Sequence, residues 1–596
     1  MNKQRLATAP LTVPALIGFA AAVLIAPLLV VLKPLFPVPG HGIGLVSVMR
    51  YPKGWDYAVV AILFFVAAAV TLIAAYSSGP HPRFALPSPA RGRGRIGVVC
   101  VLMLIVTAAI LPARDNPYEF ADPYHEGENL SPASVMLAGG RPYRDVWFMH
   151  AVAADGGLDL LVLGDPPSIV RTRRMRAILS TATVAFLVPI AAELSSTWTG
   201  AICATILSLC SIAAGQLPST PHFRLLPLLL AIWLALIAIR TRRGAYGIAA
   251  CAIASAGLVW SLDVGLFAVA GLAGWLIVAR PFDRKTLAAC AAAIVFTAPL
   301  LLLALRADIS RFFRDSFLRL PECFDAIYSL PAPPFAMTWP SVRYYVPPIV
   351  YGVVFALAIL YGARGERQRA NALLLLAITA FFEFRTAAGR HSWGHLRFSL
   401  PLLGIMVVCF AIEPLIRSRR ASRIAVGVAI AIAAIPYFEV IANAKALGNY
   451  YSTYRERLRP KPDTVPFPLP RAHDLFTYRQ EAAELGALYH FSQSMPPGPI
   501  FDYSGEKYLY YMLARPASTR CHDIPYLSDP ALGREAMHQL ERRPPVFVVV
   551  AGHPTLANID GISNAQRTPQ IAQWIDAHYP RRIKVGRYTV GLPSAP

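Results

Sequence analysis

The chain has 596 residues, of which 55% are hydrophobic and only 15% charged, with a mean hydropathy of +0.47. Soluble domains carry about 25% charged residues, so this balance excludes an ordinary soluble protein and indicates one built largely within a membrane. The formal net charge of +22 would suit a nucleic-acid binder, but the arginines gather in short loops between apolar runs. That is the pattern of cytoplasmic loops facing anionic headgroups, and it argues against a nucleic-acid partner.

In chain order, Lys3 and Arg5 precede an apolar stretch over residues 11–35. It is too long for the core of a signal peptide and is read as an uncleaved first helix. Apolar runs of membrane-crossing length then predict spans near residues 57–76, 96–112, 177–193, 199–215, 223–239, 246–261, 264–279, 286–305, 346–362, 370–384, 398–416 and 424–441, about thirteen in all. With the N-terminus cytoplasmic, the basic stretches at 83–95, 240–243, 280–285, 364–369 and 417–423 all fall inside. The odd number of spans then leaves the C-terminal segment outside. Arg171-Thr-Arg-Arg-Met-Arg176 breaks the pattern by falling at the outer face. Its arginines either snorkel to headgroups or, at Arg173 and Arg174, hold a phosphate through planar, bidentate hydrogen bonds.

Three outer segments follow from this topology: residues 113–176, 306–345 and 385–397. A reaction at a membrane surface needs a base, a clamp for an anionic leaving group and walls that exclude water. The first segment contains Asp122-Pro-Tyr-His-Glu-Gly-Glu128, followed by Asp145 and His150. Glu126 and Glu128 share a face on a strand, whereas Asp122 and Glu126 share one on a helix. Pro123 marks a turn or helix start, so Asp122 is either an N-cap or a catalytic carboxylate. Glu126 is either a solvated loop carboxylate or the base.

In the second segment, Phe313, Phe317 and Leu320 recur at helical spacing opposite Arg311, Arg314 and Asp315, which predicts an amphipathic interfacial helix. The third supplies Arg385, Arg390 and Arg397 with His391 and His395. It is either an interfacial anchor or a phosphate cradle. His391 and His395 have the i, i+4 spacing of a metal pair but lack the HExxH glutamate. The cysteines show no zinc spacing, so neither a metal nor another cofactor is indicated. Cys323 and Cys521 lie in outer segments, where they either pair or remain free thiols. Asp263, at a predicted hairpin between spans, is a secondary candidate.

From about residue 442 the composition becomes that of a soluble α/β domain. A stiff, extended linker is expected at 460–470, a helix at 473–494, and strands at 499–503, 545–550 and 583–592.

The acidic motif in the first large outer loop of a multispanning chain resembles the GT-C glycosyltransferases, which use polyprenyl-phosphate sugars. The bacterial group that includes protein mannosyltransferases and lipid A aminoarabinose transferases is the nearest likeness. Asp122-Pro-Tyr-His-Glu-Gly-Glu-Asn-Leu and Met136-Leu-Ala-Gly-Gly-Arg-Pro-Tyr-Arg-Asp145 look like the family's acidic element, helix and Gly-x-x-Pro-Tyr-x-Asp turn. Gly389-Arg-His-Ser-Trp-Gly-His-Leu is similar to a Gly-Arg-x-Asp-x-x-His-Leu loop, with Ser392 where the aspartate would stand.

The resemblance implies an α-helical polytopic membrane protein. Residues 1–95 would form an appended transmembrane hairpin, 96–441 the GT-C-like transmembrane domain, and 442–596 a small C-terminal α/β periplasmic domain. It also implies transfer of a hexose or pentose from a polyprenyl-phosphate or diphosphate carrier to a glycan, lipid or protein acceptor, in a bacterial inner membrane. Glu126 would be the base, with Glu128 and Asp122 as alternates. Arg390, Arg397 and His395 would neutralise the phosphate, and Arg173, Arg174, His125 and Asp145 would complete the binding set. The rival reading is a transporter or flippase of a lipid-linked or anionic substrate. It needs a polar path through the spans, where the sequence offers only Glu193, Asp263, Glu383 and Glu413, mostly near span ends.

Overall fold

Runs of Ala, Leu, Val and Ile long enough to cross a bilayer satisfy their backbone groups only by coiling into helices. The computed structural model describes residues 12–77, 121–194, 221–336, 338–407 and 461–594. Among these residues, eight helices are long and apolar enough to span a membrane. The first two are α1 (Val13–Leu35) and α2 (Gly54–Ser77). A short helix in the first loop, α3 (His125–Leu137), precedes α4 (Ile169–Leu194) and α5 (His222–Thr241). The shorter apolar helix α6 (Gly244–Trp260) leads to α7 (Leu262–Ala279) and α8 (Arg284–Ala304). After α9 (Leu320–Ile327) in the second loop come α10 (Trp339–Ala363), α11 (Arg367–Gly389) and the short α12 (Trp393–Phe398). The expected spans near 96–112, 199–215 and 424–441, and most of that near 398–416, lie outside the described residues.

These helices share one apolar core. Ala22 of α1, Leu63 of α2, Leu228 of α5, Trp275 of α7, Tyr351 of α10 and Leu373 of α11 all belong to it. The N-terminal hairpin therefore packs against the bundle, through one face of α1 and through α2. Small residues set the closest approaches, as expected where helices associate by packing. A Cβ on Gly352 of α10 would lie 2.1 Å from the Phe64 carbonyl oxygen of α2. A buried ion pair also anchors α2 to the second loop. Lys53 Nζ meets Asp56 at 2.6 Å and donates to the Leu330 carbonyl at 2.6 Å, while Asp56 accepts from the Ala332 amide at 3.1 Å.

The second loop coils as a helix through residues 309–327, as expected, but the face it buries is not the expected one. The helix comprises Ile309–Phe313, a widened turn over Arg314–Arg319, and then α9. Asp315, expected on the exposed side, is 1% exposed because Arg520 of the C-terminal region binds its carboxylate. Phe313 is 47% exposed, while Phe312 beside it is buried. The extra residue in the widened turn shifts the face that an ideal helical period would bury.

The C-terminal region holds β1 (Thr464–Pro466), β2 (Phe476–Tyr478), α13 (Arg479–Ser494), β3 (Phe501–Asp502), α14 (Pro530–Arg542), β4 (Val548–Ala551), α15 (Pro569–His578), β5 (Arg581–Val585) and β6 (Tyr588–Leu592). Its main sheet runs β3-β4-β6-β5, with β3 parallel to β4 and the other pairs antiparallel. The expected single strand at 583–592 is a hairpin. Gly586, at φ +59°, turns the chain inside a sequence that alternates without interruption. The expected linker at 460–470 contains β1, which pairs with β2.

Candidate active site

The first loop's acidic motif forms the start of α3. Asp122 Oδ1 accepts from the Tyr124 and His125 amides at 3.0 and 2.9 Å, and its Oδ2 lies 2.8 Å from His125 Nδ1. It therefore occupies the orphan donors of the helix start. Burial raises the Asp122 carboxyl, but the His125 hydrogen bonds outweigh it and the group sits below its ordinary value. His125 moves the other way: burial lowers it, while Asp122 and Glu128 raise it further.

Glu126 is held by Arg173 in a bidentate pair, with Nε to Oε1 at 2.7 Å and an NH2 nitrogen to Oε2 at 2.9 Å. Its Oε2 also accepts the Asp122 amide at 2.9 Å. Arg173 can do this because Ser168 caps α4, accepting the Arg171 amide at 3.1 Å, and directs the first turns toward α3. One turn on, Arg176 clasps the buried Asp159. These arginines thus answer carboxylates of their own loop. Arg174, between them, is exposed.

Glu128 faces the C-terminal region. Lys507 Nζ lies 3.0 Å from Glu128 and 2.7 Å from Asp523, and sits 3.5 Å from the centroid of the Tyr124 ring. Burial lowers the Lys507 ammonium's pKa, but Asp523 and Glu128 raise it to well above its ordinary value. The close approach depends on Gly127, where a Cβ would lie 2.4 Å from the Tyr508 nitrogen. The Tyr508 amide donates to the Pro123 carbonyl at 3.1 Å, and Ser131 donates to the Lys507 carbonyl.

A cavity of about 30 Å3, room for a water-sized group, opens among Glu128, Asp155, Lys507, His522 and Asp523. Both ring nitrogens of His522 are buried. Burial and then Lys507 push that imidazole down to about 4, so it is neutral at physiological pH. Asp155, on the cavity wall, accepts from the His150 amide at 2.6 Å and lies 3.0 Å from His150 Nδ1.

Tyr328 of the second loop joins this cluster to the third. Its hydroxyl donates to Asp523 at 2.8 and 2.9 Å and meets the Tyr124 hydroxyl. Its carbonyl accepts from Arg390 at 2.6 Å, and Arg390 also pairs with Asp560 at 3.1 Å. His395 lies 2.7 Å, through Nδ1, from Ser392 Oγ, so the serine in the aspartate's place engages the loop's own histidine. Burial, with Arg390 and Arg224 nearby, pushes His395 down to about 3. It is a neutral imidazole and adds no charge. Arg397 is half-buried on α12. Asp263 is paired with Arg224, both oxygens at 2.6 Å.

Asp145 closes its own turn, accepting the Arg141 amide at 2.8 Å, and is 44% exposed. Cys323 and Cys521 are buried free thiols in one apolar cluster. No group of three or more His, Cys, Asp or Glu is arranged to hold a metal ion among the described residues.

No protein-family model and no curated protein matches this sequence. Among the solved structures similar to it are two of one protein. One is ArnT from Cupriavidus metallidurans bound to undecaprenyl phosphate, 14% identical, covering 84% of this chain and 98% of that one, with a TM-score of 0.43. The other is the same protein in the apo state, 14% identical, covering 84% of this chain and 97% of that one, with a TM-score of 0.41.

Sequence reasoning did not single out Tyr328, Asp155, Lys507, His522, Asp523 or Asp560. Lys507 left one signal, a lone cation directly before Tyr508-Leu-Tyr-Tyr-Met512. A lysine at the edge of an aromatic run that is to be buried needs a counter-charge.

Proposed function

We propose that this chain is an integral membrane glycosyltransferase of the GT-C type, which moves a sugar from a polyprenyl-phosphate or diphosphate carrier to an extracytoplasmic acceptor. The observation that carries this reading is a single cluster at one end of the apolar helices. Glu128 of the first loop, Tyr328 of the second, Arg390 of the third and Lys507 of the C-terminal region meet there. Carboxylates face cations where the loops and the C-terminal region close over them, which suits transfer from an anionic leaving group.

Of the three first-loop carboxylates, Glu128 best fits the base. Both oxygens of Glu126 are engaged by Arg173, and Asp122 caps α3, whereas Glu128 borders the cavity. In the reaction, the acceptor oxygen attacks the anomeric carbon and its proton passes to Glu128. The glycosidic C–O bond breaks and the phosphate leaves with the electron pair. Arg390, exchanging Asp560 for the phosphate, and Arg397 would balance that charge, with His395 as a neutral donor. Arg173 would keep Glu126 and the start of α3 in place.

The test is transfer from radiolabelled polyprenyl-phosphate sugars by purified protein with a membrane extract, comparing Glu128→Gln with Glu126→Gln. Loss of a general base is expected to slow Glu128→Gln by about 10²–10⁴-fold. Full activity in that variant would remove Glu128 from the role. Absence of transfer by the wild type across a broad donor panel would overturn the enzyme reading.

A further inference from the structure

At the helix ends remote from Glu128, α5, α7, α10 and α11 line a second, open cavity of about 530 Å3, along which Val278, Ile359, Arg242, Arg280 and Arg367 are exposed. That size falls within the roughly 300–1,000 Å3 usual for small-molecule sites. Val278 of α7, Ile359 of α10 and Leu374 of α11 give it apolar walls, and Arg242, Arg280 and Arg367 line it as well.

The three arginines arrive from three separate helix ends. Arg242 and Arg280 are the C-caps of α5 and α7, at φ 59° and 44°. Glycine or asparagine is usual in that left-handed conformation, because a larger side chain is strained there. A cation at a helix C-terminus at least suits the dipole. Arg367 has no such reason, since it opens α11 at the helix's positive end. Nearby Glu366 pairs with Arg369 at 3.9 Å, and among the described residues no carboxylate pairs with Arg242, Arg280 or Arg367. Uncompensated guanidinium groups around one cavity repel each other and favour an anion between them. Guanidinium suits a phosphate in particular, by bidentate hydrogen bonding. A free phosphate would leave the apolar walls unfilled; a lipid fills both parts.

We propose that this cavity binds an anionic phospholipid, with its phosphate among Arg242, Arg280 and Arg367 and an acyl chain along Val278, Ile359 and Leu374. The positive-inside rule draws that lipid from the cytoplasmic leaflet. The full-length protein in detergent is to be titrated with phosphatidylglycerol and with phosphatidylcholine and read by native mass spectrometry. The wild type is expected to retain phosphatidylglycerol selectively. The combined Arg242→Gln, Arg280→Gln and Arg367→Gln variant is expected to hold it about a hundredfold more weakly. Ile359→Trp, which fills the apolar wall and leaves every charge in place, is expected to weaken it too. Equal retention of the two lipids by the wild type, or unchanged binding in Ile359→Trp, would overturn the proposal even if the triple variant failed to fold. Displacement of the lipid by millimolar inorganic phosphate would overturn it in favour of a free-anion site.

Discussion

Lys507 is the residue on which the first loop and the C-terminal region agree. It is 3% exposed and stands between two carboxylates, Glu128 and Asp523. A buried ion pair adds little over a well-packed apolar pair, but removing one partner strands the other charge. Lys507→Met therefore leaves the buried Asp523 facing the partly buried Glu128 with no cation between them, and is expected to cost about 3–5 kcal/mol. A lowered thermal unfolding midpoint in detergent would report it; a midpoint equal to the wild type would mean the pairing adds nothing. Gly127 tests the same contact without touching charge. A Cβ there would meet backbone, which cannot swing aside as a flexible side chain could. Gly127→Ala is expected to destabilise by about 1–3 kcal/mol, and to loosen the C-terminal region against α3 as read by limited proteolysis. An unchanged cleavage pattern would show that the segment at Lys507 and Tyr508 yields easily.

Among the elements, the second loop and α14 dock through charge. Glu535 of α14 takes Arg520 at 2.9 Å and Arg319 at 3.0 Å, and Arg520 also holds the buried Asp315. Burial alone would raise the Glu535 carboxyl, but Arg520 and then Arg319 bring it down to about 2. A carboxyl whose folded value lies below its unfolded one stabilises fully above the unfolded value, and loses that stability as pH falls through the folded one. The docking is therefore expected to hold steady above about pH 4.5 and to weaken between about pH 4.5 and 2. Glu535→Gln should flatten that part of the unfolding-temperature profile; an equally steep profile in the variant would assign the acid sensitivity elsewhere.

The same elements show what the sequence could reveal. Apolar runs announced α1, α2, α4, α5, α7, α8, α10 and α11, because bilayer thickness dictates their length. The hairpin of β5 and β6 was hidden because residues 583–592 alternate straight through the turn at Gly586. The types of the site residues were legible, since charge is scarce in such a chain and the acidic motif stands out. Their partners were not, because Glu126 meets Arg173 across 47 positions and Glu128 meets Lys507 across 379. Asp315 read as exposed for the same reason: nothing local announces Arg520.

At the scale of the whole molecule, the C-terminal region's sheet is covered on both faces partly by residues from outside it. Val548 and Val549 point to opposite sides of β4. Val549 joins a core with Leu130 and Ala133 of α3 and Ile169 of α4, and Val548 one with Trp147, Ile327 and Tyr328 of the loops. Its own helices contribute the remainder, Leu485 and Leu488 of α13 on the first side and Leu540 of α14 with Ile575 of α15 on the second. Severed from the rest, the region would expose these apolar surfaces and leave Lys507 and Arg520 without Glu128 and Asp315. Residues 461–594 expressed alone are thus expected to keep their helical signal but bind a hydrophobic dye and unfold without a sharp transition, as loosely packed states do. A cooperative melt with native-like aromatic circular dichroism would show instead that its own helices suffice as a core. The membrane-facing loops would then dock on a finished domain rather than complete it, and Glu128 would owe its position to assembly after folding.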